Sequence, residues 1–260
     1  MPTRPRIDLA GYHHIINRGV NRSTVFNDSA DKEMFLRIVN KAALIHRVIL
    51  HDYCLMNNHY HMLIETEKEN LSTFMRIVSA NYSQYFNKRH RRSGHLWQDR
   101  YQSKYITSEE YLYTLIRYIE YNPVKAALTK KVGEYPYTLS SSIFSAKEHL
   151  PCSNESLLVK SYDLESLAEF LEKPMSEEEL NYLEKKQKQK IKKTKDGIKI
   201  SQSKEFEEHF TDIQNKKERN LAIINAYLDG YTQSSISKYL NLSKSLVSKV
   251  IKSGDVAPGV

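Results

Sequence analysis

Cysteine is nearly absent from this chain: Cys54 and Cys152 are the only two among 260 residues. Two cysteines make neither a disulfide framework nor a zinc cage, so the reading is two reduced thiols in a cytoplasmic protein. Long apolar runs are missing as well. No stretch approaches the roughly 18 residues needed to cross a bilayer, and "MPTRPRIDLAGYHH" lacks the apolar core of a signal peptide. Tryptophan occurs once. What is present is positive charge and tyrosine. The formal net charge is +8, the sequence pI is near 9.2 and there are 18 tyrosines. That balance calls for a polyanionic partner, although charge alone does not choose between nucleic acid and an anionic membrane surface. Most of the tyrosines are expected to be half-buried, and some could stack on bases.

The first half alternates strands and helices. "YHHIINRG" (12–19) is strand-like and ends at a glycine. "NDSADKEMFLRIVNKAALIHR" begins with capping residues and carries Met34, Phe35, Ile38, Ala42 and Ile45 at helical spacing. "VILHDYCLMNN" and "HYHMLIETE" form two strands joined through Asn57-Asn58. "NLSTFMRIVSANYSQYFNKRHRR" is a second amphipathic helix with a basic end, and "LWQDRYQSKYI" is a further strand. "TSEEYLYTLIRYIEYN" opens with a capping box, Thr107 or Ser108 with Glu110, and is expected to stop at Pro123. This order predicts an α+β fold with a ferredoxin-like antiparallel sheet, helices packed on one face and the other face free for a site.

From about Pro151 the texture changes. Leu183–Lys199 holds eight lysines against two acids, which reads as a solvated helix or linker, or else as a phosphate-contacting segment. Beyond it, Thr232 can cap "QSSISKYL", Asn241-Leu242 turns the chain, and Ser243 caps "KSLVSKVIK" after a helix ending at Gly230. Ile223, Ile236, Leu240, Leu242, Val247 and Ile251 are spaced to close a small core. The pattern resembles an all-α helix-turn-helix module whose recognition helix would turn Lys244, Ser245, Ser248 and Lys249 to DNA. The boundaries read 1–150 for a catalytic domain, 151–205 for a basic helical linker and 206–260 for the module.

Within "CLMNNHYHMLIETE", strand alternation puts His59 and His61 on one face and Tyr60 on the other. Two imidazoles on one face can share a metal ion, though such pairs also arise by chance in a chain with ten histidines. A metallohydrolase motif would continue with Asp and His, where this chain has Met62, Leu63 and Ile64. A second cluster is "YIEYNPVKAAL", in which Tyr118 and Asn122 stand one helical turn apart at the edge of the face formed by Leu112, Leu115, Ile116 and Ile119. Tyr111 shares the stripe but lies roughly 10 Å away along the axis. Tyr113 and Tyr121 point elsewhere. Taken without the histidine pair, Tyr118 and Asn122 fit better as a boundary aromatic and a helix-terminal amide ahead of Pro123.

Together, "NNHYHMLIE" and "YIEYNPVKAAL" resemble the single-tyrosine HUH transposases, in particular the REP-associated tyrosine transposases and those of the smallest insertion sequences. "YHHIINRGVNRSTVF", "GHLWQDRYQSKYI" and "NPVKAALTKKVGEYPYTLSS" are similar to further landmarks of that family, and the likeness covers roughly residues 8 to 146. The resemblance implies cleavage and rejoining of single-stranded, hairpin-bearing DNA, such as REP-like or insertion-sequence ends, through a 5′-phosphotyrosine. It implies Tyr118 as nucleophile, His59 and His61 as metal ligands, and Asn122 in a third ligand position that is Gln in some relatives. Mg²⁺ or Mn²⁺ suits such a ligand set, and Mn²⁺ tolerates imidazole better. Arg100, Lys104 and Arg117, with "NKRHRRSGH", are candidates to hold the phosphate backbone as a group. The alternatives are a non-catalytic DNA-binding regulator built on the same fold, or an HUH replication initiator or relaxase. No membrane partner is expected, and a monomer and a homodimer completing its sites in trans are both open.

Overall fold

The computed structural model describes residues 8–194, 197–201, 206–211, 213–229 and 231–254. The chain divides into two compact units, 1–187 and 188–260.

The first unit runs β1 (Gly11–Arg18), α1 (Ser29–His46), β2 (Val48–Leu55), β3 (His59–Thr66), α2 (Leu71–Arg89), β4 (Gln102–Tyr105) and α3 (Glu109–Lys125). Four short helices follow: α4 (Leu139–Phe144), α5 (Leu157–Lys160), α6 (Leu164–Glu172) and α7 (Glu177–Lys188). The sheet order is β2-β3-β1-β4 with every pair antiparallel. A β-α-β-β-α-β chain in that order is the ferredoxin-like arrangement expected from the sequence.

Local chemistry explains the element limits. The Asp28 carboxylate accepts from Asp31 N at the start of α1, and Arg47 ends that helix in the left-handed region at φ 53°. Ser108 caps α3 by accepting from Tyr111 N. The face α1 buries is Phe35, Val39, Ala42 and Ala43, while Ile45, expected in the core, is 67% exposed.

One sheet face packs on α1 and α2. Phe35 meets Tyr60 at 4.8 Å between ring centroids and Tyr82 at 5.1 Å, and Tyr60 meets Trp97 at 5.6 Å. Tyr60 is wholly buried there. On the opposite face, which the sequence left open, α3 lies against β2 and β3 and brings Tyr118 over the strands. Buried aliphatic side chains of this kind each contribute about 1.5–3 kcal/mol by leaving water.

Two expectations change. Pro123 does not stop α3, which continues to Lys125. A proline lacks the N–H that would bond Ile119 O, but Asn122 Nδ2 donates to Tyr118 O at 2.7 Å and reaches Ile119 O at 3.4 Å. The side chain covers what the ring removes. Residues 151–187, read as the start of a linker, are instead packed on the main core through Leu158, Leu167, Leu171 and Leu183. Ser156 Oγ donates to His51 O at 2.7 Å, tying this segment to β2.

The second unit contains β5 (Lys190–Thr194) and β6 (Gly197–Ser201), an antiparallel hairpin pairing Ile191 with Ile200, inside the segment expected to be helical. Then come α8 (Lys216–Asp229), α9 (Gln233–Tyr239) and α10 (Lys244–Gly254). Thr232 caps α9 by accepting from Ser235 N, and Ser243 Oγ accepts from Leu246 N at the start of α10. Asn241 turns the chain between them at φ 51°. Ile223, Ala226, Ile236, Val247, Val250 and Ile251 are the buried core of this all-α helix-turn-helix module. The expected helix end at Gly230 lies outside the described residues. Among the described residues no helix is long and apolar enough to cross a membrane.

Candidate active site

The site begins with ladder register. On β3, His59 stands opposite Arg18, and His61 stands between Ile16 of β1 and Cys54 of β2. Directly paired residues share a face, and residues two apart do too. His14, Arg18, His59, His61 and, through its pairing with His14, Lys104 of β4 therefore share the face under α3.

Three imidazoles and one phenol gather there. The His59 and His61 rings have centroids 5.2 Å apart, and His14 stacks on His61 at 5.2 Å. Tyr118 meets His61 edge-on at 5.8 Å and His14 at 6.4 Å. Asn122 follows one turn along α3, on the same helical stripe as Tyr118.

The hydrogen bonds at His59 and His61 engage Nδ1 and not Nε2. His59 Nδ1 donates to Asn58 Oδ1 at 2.6 Å, which keeps its Nε2 available. His61 Nδ1 is 3.0 Å from His14 Nε2, so the bond between the two rings engages Nδ1 of His61. Asn122 spends its amide nitrogen on helix carbonyls and leaves Oδ1 open. Among the described residues no three His, Cys, Asp or Glu side chains surround one point. Two imidazoles and a carboxamide oxygen are donors of the kind a divalent cation takes when water or phosphate oxygens complete its shell.

Burial dominates the electrostatics. It lowers the His61 pKa well below its ordinary value, with the neighbouring His14, His59 and Arg18 adding to the effect. Burial likewise lowers His59, and takes His14 down to about 3 with a further push from Lys104. Neutral imidazoles are the form a metal binds. Burial raises the Tyr118 pKa, so at rest the phenol is protonated.

The remaining candidates separate. Lys104 stands on the site face, half-buried, and Arg100 is exposed just ahead of β4. Arg117 was expected to hold DNA, and the structure corrects this. It is 7% exposed, bonded to Glu179 and donating to Lys173 O at 2.6 Å and Pro174 O at 3.0 Å. One position from Tyr118 on a helix is about 100° away, which turns Arg117 toward α6 and α7. In the second unit Lys244, Ser245 and Lys249 are exposed on α10 and Ser248 is half-buried.

Two site residues went unread in the sequence, His14 and Arg18. The alternation of "YHHIINR" was the available signal, since it places His14, Ile16 and Arg18 on one face. Only the pairing of β1 with β3 says which face. The rim beside Arg18 is pinned: Gly19 N donates to Asn58 O, Val20 N to Leu96 O and Asn58 Nδ2 to Arg22 O. A Cβ at Gly19 would sit 2.2 Å from Ser23 O, so this tight loop requires glycine.

Solved structures similar to the chain include a REP-associated tyrosine transposase bound to a REP hairpin, at 16% identity and TM-score 0.49, covering 58% of this chain and 90% of that one. A protein of Deinococcus radiodurans R1 given as a transposase is similar at 18% identity and TM-score 0.33, covering 46% and 95%. A tRNA(His) guanylyltransferase from Saccharomyces cerevisiae is similar at 10% identity and TM-score 0.36, covering 70% and 80%. Likenesses this distant carry no argument about chemistry. No curated protein sequence matches the chain. The sequence of residues 9–122, which holds β1 to β4, the histidine strand, Tyr118 and Asn122, matches the family described as IS200-like transposases.

Proposed function

We propose that this chain is a transposase that cleaves and rejoins single-stranded, hairpin-bearing DNA through a covalent bond to Tyr118. The observation that carries the reading is the edge-on approach of Tyr118 to His61, on the strand where His59 Nε2 and His61 Nε2 are outside the hydrogen bonds that the two rings make through Nδ1. His59 and His61 through Nε2, and Asn122 through Oδ1, would hold Mg²⁺ or Mn²⁺. Bound there, a divalent cation polarises the scissile phosphate.

The chain supplies the rest. The Tyr118 oxygen attacks phosphorus as it loses its proton, and the bond to the 3′ oxygen breaks. A 5′-phosphotyrosine and a free 3′-hydroxyl result, and a later 3′-hydroxyl reverses the step without ATP. Desolvation makes Tyr118 a weak acid at rest, so attack depends on positive charge that the site gathers around the bound phosphate. Arg18, paired with His59, and Lys104, paired with His14, would meet the non-bridging phosphate oxygens. Arg100 extends the basic surface. Lys244, Ser245, Ser248 and Lys249 of α10 form a separate reading head for DNA. That the strand bears a hairpin follows from the family resemblance.

The test is incubation with a labelled hairpin oligonucleotide and Mn²⁺, followed by a denaturing gel. A covalent protein–DNA band that vanishes in Tyr118→Phe is expected. A band that survives the change removes Tyr118 as nucleophile. With no band for any oligonucleotide, the reading gives way to a DNA-binding regulator.

A further inference from the structure

His14 has no part in the cleavage chemistry described so far, yet it is wholly buried beside it. Burying an imidazole costs desolvation that an apolar residue at the same ladder position avoids. What it gains is one hydrogen bond, His14 Nε2 to His61 Nδ1 at 3.0 Å. Its other nitrogen, Nδ1, is sealed from solvent without a partner.

A neutral imidazole has one N–H and one lone pair, so this bond runs in one of two directions. If His14 donates, His61 carries its own proton on Nε2 and offers a cation nothing. If His61 donates, its Nε2 keeps its lone pair for a ligand. The neighbouring ligand shows the same device: Asn58 Oδ1 can only accept, so His59 Nδ1 carries the proton and Nε2 is free. A partner on the far nitrogen orients a ligating histidine and raises its basicity.

We propose that His14 is a positioning residue that accepts the Nδ1–H of His61 and so holds His61 in the tautomer that binds the divalent cation. The inference rests on the metal-site reading above. A leucine at position 14 would fill the space and lose the acceptor. A glutamine would keep an acceptor oxygen at about the reach of Nε2.

The test titrates Mn²⁺ alone into the full chain by calorimetry, with circular dichroism to show that each variant is folded. His14→Leu is expected to weaken Mn²⁺ binding about 10- to 100-fold, and His14→Gln to restore it to within a few-fold of wild type. His14→Leu binding like wild type, while His61→Ala does not bind, overturns the proposal and leaves the metal site standing. His14→Gln as weak as His14→Leu reduces His14 to packing and also overturns it. His61→Ala binding like wild type overturns the metal site itself, and the proposal with it. Long-range ¹H–¹⁵N spectra of the metal-free wild type, with His61 assigned by its loss in His61→Ala, need no folded His14 variant. A proton on His61 Nδ1 supports the assignment, and one on Nε2 overturns it.

Discussion

The Tyr118 ring stands edge-on to His61, with centroids 5.8 Å apart and planes at 86°. A helix and a strand far apart in sequence thus place a phenol beside an imidazole pair. Tyr60, flanked by those histidines in sequence, lies on the other side of the sheet against Phe35 and Trp97.

The two tyrosines therefore answer to different measurements. Tyr60→Phe is expected to leave the covalent DNA adduct intact, while Tyr118→Phe removes it. Tyr60→Ala would cost about 3–5 kcal/mol in a denaturant melt, because it empties a fully buried aromatic site. Tyr118→Phe is expected to stay within about 0.5 kcal/mol of wild type.

Asp52 and Glu120 predict a pH effect on stability. Both are buried between β2 and α3, and Glu120 accepts from Ser140 N at 2.9 Å and Ser140 Oγ at 2.5 Å. Burial raises both carboxyl pKa values, and the nearby Glu120 adds to the rise at Asp52. Two carboxyls this close share a proton. The folded chain then holds a proton that the unfolded chain releases near pH 4. The pair's contribution is fully present below that pH and is lost as pH rises through its native titration, at up to about 1.4 kcal/mol per pH unit. Asp52→Asn should flatten this decline in denaturation series from pH 4 to 9. The buried histidines act in the opposite sense at the acid end and cancel when variant and wild type are compared.

Arg117 is expected to behave as a structural residue. Arg117→Ala should destabilise the chain by about 3 kcal/mol, since Glu179 loses its partner and two carbonyls lose a donor. The salt dependence of single-strand binding should not change. Arg100→Ala should do the reverse, leaving the melt unchanged and making the slope of log K against log salt shallower by about 0.7.

For the second unit the prediction concerns duplex DNA. Lys249 is exposed on α10, opposite the buried Val247 and Ile251. Lys249→Ala should make the salt slope for duplex binding shallower by about 0.9, read by fluorescence anisotropy. The adduct on the hairpin substrate should persist, since Tyr118, His59, His61 and Asn122 all belong to the first unit.

Much of this arrangement was legible in one dimension because it depends on local periodicity. Strand alternation separated Tyr60 from His59 and His61, and helical spacing put Tyr118 and Asn122 on one stripe. Capping chemistry located α3, α9 and α10 through Ser108, Thr232 and Ser243. Pro123 misled because its missing N–H is compensated by the Asn122 side chain, a contact that spacing does not reveal. Residues 151–187 misled because the surrounding charge concealed leucines that find their partners only on the assembled core.

From the sequence alone came the order of strands and helices as far as α3, the shared face of the histidine pair and the stripe that Tyr118 shares with Asn122. The tertiary structure alone decided which other side chains share that face. Pairing β1 with β3 brought His14 onto His61 and Arg18 opposite His59, and packing α6 and α7 on α3 withdrew Arg117 from DNA. Periodicity along a chain fixes where a side chain points relative to its own element, whereas its neighbours depend on ladder register and helix packing between segments distant in sequence.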